Sequence, residues 1–261
     1  MPTTTRDGVE LAYETAGEGP TVAFVGDVGF GAWAWARQVD ALAGPARTLV
    51  YDHRGTGRSD TPAGPYAMAD LVADFRAVLA AAEVEEAHLV GAGLGGLVAM
   101  EVARESDRVA SLLLLGTGAD PTAADPLALA ADRDDEAALR STTELALGPE
   151  FPERFPAAVD DIVAWRREGD ADREGWQAQA AALDDYAPTD LYEVTTETLI
   201  VHGTADEVWP CSGGRELATE LPRGSFERAE GAGHLPAFEA SAAVNDLLFD
   251  RVAGEADWTE E

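Results

Sequence analysis

The sequence predicts an α/β fold, a mostly parallel twisted sheet flanked by helices on both faces and carrying a helical insertion. Three observations predict it. Short strand-like runs alternate with helical patterns along most of the 261 residues. Several of these runs are apolar throughout, Leu112-Leu113-Leu114-Leu115 being one, as strands covered on both faces are. The alternation breaks only between about residues 121 and 188, a stretch rich in Ala, Asp, Glu and Arg without a convincing strand.

In chain order the pattern places strands at residues 9–15, 21–25, 47–51, 87–90, 109–115, 197–201 and 224–228. Helical segments lie between them at residues 32–43, 67–82, 95–104, 214–221 and 240–252. The stretch 121–188 reads as several short helices laid over the carboxyl edge of the sheet. The expected organisation is therefore one core domain of residues 1–120 and 189–261, interrupted by a helical cap of residues 121–188, a natural size for a single α/β domain. Trp165, Trp176 and Tyr186 in the cap are candidates for lining a pocket beneath it, although aromatic residues on helices more often serve packing.

Forty-nine acidic residues stand against 18 basic ones, a formal charge of −31, and all 18 are arginine, with no lysine. Disorder needs low hydrophobicity, and 46% hydrophobic content in Val/Leu/Ala runs argues for a folded domain with a loose end only at residues 254–261. Such a charge repels itself at low salt, whereas molar salt shortens the screening length to about 3 Å. The composition resembles that of extreme halophiles. Nothing forms a basic stripe, which argues against nucleic acid.

The single cysteine, Cys211, rules out a disulfide framework and a CxxC metal site, and reads as a small buried apolar side chain. Residues 1–10 are polar, and no apolar run reaches the roughly 18 residues that span a bilayer, so a cytoplasmic location away from membranes is expected. Residues 26–31 lack the spacing of a dinucleotide fingerprint, and no Lys-Ser or Lys-Thr follows the glycines at 91–96, which excludes a P-loop. Neither cofactor nor metal is implied.

Three segments carry chemistry. His88-Leu89-Val90-Gly91-Ala92-Gly93-Leu94-Gly95-Gly96 runs from a strand through a tight glycine turn into a helix. That is the layout of a nucleophile elbow, GxSxG, in which small residues let strand and helix approach and the middle residue is presented at the helix N-terminus. The middle residue here is Gly93, which has no side chain to attack with. Gly203-Thr204-Ala205-Asp206-Glu207-Val208-Trp209-Pro210 follows a strand and matches GxxDxxxP, with Asp206 as the acid; the blander reading is a loop aspartate capping the next helix. Gly233-His234-Leu235 supplies a loop histidine before the last helix, in the order nucleophile, acid, histidine.

Together these segments resemble the α/β-hydrolase superfamily over essentially the whole chain, particularly its enol-lactonase-like, cofactor-free peroxidase-like and small esterase-like members. Asp52-His53-Arg54-Gly55-Thr56-Gly57-Arg58-Ser59-Asp60 strengthens the resemblance as the DxRGxGxSD feature, whose role is structural; His53 and Ser59 are read as outside the site. The resemblance implies a triad of residue 93, Asp206 and His234, and an oxyanion hole made by the amides of Val28 and Leu94. Two positions depart from it. Besides Gly93, the usual His-Gly before the hole appears as Gly26-Asp27, with the alignment held by Gly29-Phe30-Gly31-Ala32-Trp33. A carboxylate at Asp27 places negative charge where an oxyanion must develop.

These departures speak against efficient acyl-enzyme hydrolysis, since a triad missing a member keeps only about 10³ to 10⁴ of rate enhancement over water. Two readings remain for a small-molecule ligand or substrate. In one, His234 held by Asp206 acts as a general base without a covalent step, with Asp27 as a second acid or base. In the other, the chain is a noncatalytic pseudo-hydrolase that binds or regulates. Were Gly93 a replaced serine, ester or lactone hydrolysis would return, but one replacement would not explain Asp27 as well.

Overall fold

The apolar runs assemble into one sheet. In the computed structural model, which describes residues 1–184 and 186–253, eight strands lie among the described residues. They are β1 (Thr3–Arg6), β2 (Val9–Ala16), β3 (Thr21–Val25), β4 (Arg47–Tyr51), β5 (Ala87–Ala92), β6 (Val109–Leu115), β7 (Thr198–Gly203) and β8 (Gly224–Ala229). Their order is β1-β2-β4-β3-β5-β6-β7-β8, antiparallel for β1–β2 and β2–β4 and parallel for the other pairs. The loose end expected over 254–261 lies outside the described residues.

Period-two alternation divides the strand side chains between two cores. Ala23, Val25, Leu89, Leu112, Leu114 and Ile200 pack with Phe75 of α2 (Met68–Ala81), Leu97 of α3 (Leu94–Arg104) and Leu217 of α8 (Cys211–Glu220). Val22, Phe24, Val90, Leu113, Leu115 and Val201 pack with Leu42 of α1 (Ala36–Leu42) and with Val244 and Leu248 of α10 (Ser241–Ala253), which follows the one-turn α9 (Pro236–Glu239). A sheet so covered on both faces explains the continuous apolar runs.

The boundaries depart from the sequence pattern in a few places. β1 is an added edge strand of polar residues, joined to β2 by Asp7-Gly8, both at positive φ, the two-residue hairpin turn that such a pair favours. The helix expected over 32–43 divides into a 3₁₀ turn, Ala32–Trp35, and α1. α8 begins at Cys211 rather than 214, so Cys211 sits half-buried at a helix start instead of enclosed in the core.

Between β6 and β7 the chain forms 3₁₀ turns at Pro121–Ala123, Pro126–Leu129 and Leu191–Glu193, and the helices α4 (Glu136–Ala146), α5 (Phe151–Arg154), α6 (Pro156–Gly169) and α7 (Arg173–Asp184). These helices press on the loop that follows β3. A Cβ on Gly29 would lie 2.1 Å from the Trp176 indole, so only glycine lets the ring lie there. Gln179 accepts from the Gly29 amide at 2.7 Å and donates to the Arg54 carbonyl at 2.7 Å. Fully buried Arg166 pairs with Asp170 at 2.8 Å, donates to the Leu129 carbonyl at 2.6 Å, and lies over the Phe30 ring. Asp170 also accepts from Trp33 Nε1 at 2.9 Å; burial pushes its carboxyl up to about 6 against the pull of Arg166. Buried charges persist only when paired and hydrogen-bonded in this way.

Among the described residues no helix is long and apolar enough to cross a membrane.

Candidate functional site

β5 ends at Ala92, and the chain reverses at Gly93 with φ 48° and ψ −118° before α3 begins at Leu94. That conformation is open to glycine and costly for any residue with a side chain. The turn also brings α3 against β3 so closely that a Cβ on Gly95 would lie 2.2 Å from the Val25 carbonyl oxygen. The result is an elbow aimed at the loop after β3.

That loop delivers Asp27. Its Oδ1 accepts from the Val28 amide at 2.7 Å and from the Leu94 amide, first of α3, at 2.8 Å. The positive end of the helix and two converging N–H groups make this an anion site, and the anion is the protein's own carboxylate. Its Oδ2 lies 2.7 Å from His234 Nε2. A Cβ on Gly93 would fall 2.1 Å from Oδ1, 2.2 Å from Cγ and 2.3 Å from Oδ2 of Asp27. The carboxylate therefore fills the volume that a side chain at 93 needs.

On the far side of His234, Nδ1 lies 2.8 Å from Asp206 Oδ2. Asp206 sits in the turn after β7, where its Oδ1 accepts from the Val208 and Trp209 amides at 2.8 and 2.9 Å. It does not cap α8, which starts two residues after Trp209. His202, at the end of β7, adds its Nε2 at 3.0 Å from Asp206 Oδ2 and 2.8 Å from the Trp209 carbonyl. The loop carrying His234 is tied to the end of α4: the His234 amide donates to the Ala146 carbonyl at 2.7 Å, and the Glu239 carboxyl accepts from Gly148 and Gly233 at 2.6 and 2.7 Å.

Residues 23–247 match the alpha/beta hydrolase family. The chain belongs to that family. "Putative carbamate hydrolase RutD" of Variovorax paradoxus is 31% identical to it over 93% of this chain and 96% of its own length. The 3-oxoadipate enol-lactonase 2 of Acinetobacter baylyi is 26% identical over 94% of each chain. The crystal structure of the enol-lactonase from Burkholderia xenovorans superposes with a TM-score of 0.83 and 26% identity, covering 97% of this chain and all of the other.

Within this α/β hydrolase the expected residues converge: Gly93, His234 and the amides of Val28 and Leu94 surround one point, Asp27 occupies it, and Asp206 backs His234 from the other side. The sequence places Asp27 near the hole as an opposing charge; the structure puts its oxygen on both hole amides. The electrostatics of His234 follow. Burial is the largest single influence and pulls its pKa down, but the charge of Asp206 and the hydrogen bonds to Asp206 and Asp27 outweigh it and push the imidazole up to about 10. Asp206 is held well below the usual carboxylate range, its burial outweighed by the His234 charge and by hydrogen bonds from His202, His234 and the Trp209 amide. The two flanking carboxyl groups thus bias His234 toward its protonated form, in which both nitrogens donate.

The remaining candidates lie around the site. His53 Nε2 bonds the Gly26 carbonyl at 2.9 Å and Nδ1 bonds the Tyr51 hydroxyl at 2.9 Å; burial lowers its pKa, and it props the Asp27 loop as a neutral ring. Ser59 bonds the Ala12 amide and the Asp52 carbonyl. Trp176 packs on the Asp27 loop, Tyr186 donates to Glu101 at 2.6 Å, and Trp165 lines a surface cleft of about 490 Å³ together with Trp33 and Arg58. The cleft beside Trp165 and four others on the described surface are lined without Asp27, Asp206 or His234. Their side chains are only 6%, 0% and 2% exposed, so the site is nearly closed. Among the described residues no group of three or more His, Cys, Asp or Glu is arranged to hold a metal ion.

Proposed function

We propose that this α/β hydrolase-family protein serves a small molecule bound beneath a cap of residues 121–188, and does so without an acyl-enzyme on residue 93. The observation that carries the reading is Asp27 Oδ1 on the Val28 and Leu94 amides. An ester carbonyl entering this site meets neither a nucleophile at 93 nor a vacant hole, and one hole donor alone is worth about 3 to 4 kcal/mol in an acyl transfer. The fit of the carboxylate into the space above Gly93 also speaks against a lone serine-to-glycine replacement. A second reading, a noncatalytic pseudo-hydrolase, is favoured by the near-complete burial of the three charged groups. The charge of −31 and the lack of lysine point to a salt-rich cytoplasm as the setting.

The test is hydrolysis of p-nitrophenyl acetate and γ-butyrolactone in multimolar KCl. Turnover no faster than that of His234→Ala is expected. Turnover that disappears in His234→Ala means that His234 activates water or a substitute nucleophile on an ester carbonyl in this site, and the reading that Asp27 closes the hole to substrate is wrong.

A further inference from the structure

We propose that Asp27 is itself a nucleophile, acting on small neutral molecules that carry a leaving group on a saturated carbon. The inference rests on the reading above that no acyl-enzyme forms at residue 93. Its argument is the ownership of the hole. The Val28 and Leu94 amides hold Asp27 Oδ1 at 2.7 and 2.8 Å, so the carbonyl they are placed to polarise is that of Asp27, not that of a substrate. Such a hole is of use when Asp27 carries an ester, and an ester forms on a carboxylate by displacement at carbon. The other oxygen, Oδ2, faces His234 Nε2 at 2.7 Å, where the base for a second step must stand.

The chemistry balances with water as the only co-reactant. Oδ2 attacks the saturated carbon; the new C–O bond forms as the carbon–leaving-group bond breaks, and the leaving group departs as an anion with the bonding pair. Asp27 is then a neutral alkyl ester whose carbonyl oxygen, Oδ1, stays on the two amides. His234 has lost one of its two anionic neighbours, its proton passes to solvent, and the neutral imidazole becomes a base. Water adds to Cγ of Asp27 as His234 takes its proton, and the oxyanion on Oδ1 is stabilised by the Val28 and Leu94 amides. Collapse expels the alkoxide, which takes the proton from His234. The acid left on Asp27 returns its proton to the imidazole. The sum is R–X and water giving R–OH, X⁻ and H⁺.

The surroundings set the substrate class. Side-chain exposures of 6% at Asp27 and 2% at His234 admit only small molecules. A net charge of −31 repels anions, which favours uncharged substrates.

The experiment uses bromoethane and 1-bromobutane with the whole chain in KCl, reading bromide release and the mass of the peptide that contains Asp27. His234→Gln is expected to release one equivalent of bromide and to retain an alkyl ester on Asp27. The unaltered protein is expected to turn over and, in a single turnover in ¹⁸O-water, to take the label into Asp27. Asp27→Asn, checked for native circular dichroism, is expected to lose at least 100-fold in bromide release. Bromide release no faster than in Asp27→Asn, or an adduct on another residue, overturns the proposal. Inert bromoalkanes with inert esters sink this inference alone, whereas His234-dependent ester turnover sinks the reading on which it rests.

Discussion

Gly93→Ser alone should damage this protein rather than restore a serine hydrolase, and Asp27→Gly should rescue it. A Cβ at 93 lies 2.1 Å from Asp27 Oδ1 where ordinary contacts begin at 3.4 Å, so the carboxylate must retreat by more than 1 Å. Retreat breaks its bonds to the Val28 and Leu94 amides and to His234 Nε2, at 2.7, 2.8 and 2.7 Å. Hydrogen bonds to a charged group contribute about 1.5 to 3 kcal/mol each, and a side chain at φ 48° adds roughly 1 to 3 kcal/mol of strain. Part of the loss is recovered as the groups find new partners, and a net cost of about 3 to 5 kcal/mol is expected for Gly93→Ser. Asp27→Gly alone leaves two amides and His234 without that partner, at a cost of about 2 to 4 kcal/mol. In the double variant the serine enters the vacated volume, and the two costs should fall short of additive by about 2 kcal/mol or more. Urea unfolding in multimolar KCl measures the cycle. Hydrolysis of p-nitrophenyl acetate, on the order of 100-fold or more above either single variant, should appear only in the double variant, where serine, histidine and an open hole coexist. A Gly93→Ser protein that is as stable as the parent and already hydrolytic would falsify the placement of Asp27.

Three further outcomes follow from the same network. His234, with a folded pKa of about 10 against 6.5 unfolded, contributes stability that is complete below pH 6.5 and is lost as pH rises through 10, on the order of a few kcal/mol; Asp27→Asn should bring the imidazole titration down toward neutrality in NMR spectra, and an unchanged midpoint refutes the coupling. Glu239 is raised to about 7 by burial, so the folded state keeps its proton where the unfolded chain has lost it, and its contribution fades as pH climbs from 4.5 through 7. Glu239→Gln should flatten that part of the stability profile, measured by urea midpoints from pH 4 to 8; an unaltered slope shows that Glu239 is not its source. Raising KCl from 0.1 to 3 M should raise the thermal midpoint, because the charge of −31 is then screened; a flat or falling midpoint removes the case for salt adaptation.

The fold was legible because its signals are local. β3, β5, β6 and β7 announce themselves as short apolar runs, and the elbow, Asp206 and His234 each sit where a strand ends. β1 escapes the apolar pattern because Thr3-Thr4-Thr5-Arg6 is polar and pairs at an edge, and Asp7-Gly8 is its one local signal. The 3₁₀ turn at Ala32–Trp35 reads as helix because it runs directly into α1, while Trp35 packs on Phe24 of β3 and Trp33 on Trp165 of α6. The site was half legible. Gly93 and Asp27 each stood out as a departure, but their fit to one another depends on an approach between segments 66 residues apart. His202, Gln179 and Arg166 carried no sequence signal, since each is defined by buried partners that only the folded chain brings near. The charge state of His234 was illegible for the same reason: it is set by two carboxylates from distant loops.

The mutual exclusion of a carboxylate at 27 and a side chain at 93 also orders the history of this site. In a chain with a serine at the elbow there is no room for the Asp27 carboxylate in its present place, so glycine has to arrive at 93 first or together with it. Once both are present, the way back is barred at either first step. Serine at 93 collides with the carboxylate, while glycine at 27 strands His234 and the hole amides before any nucleophile exists. Single substitutions tested one at a time by selection therefore move this elbow in one direction, and a lineage that has crossed to the aspartate does not readily return to serine chemistry.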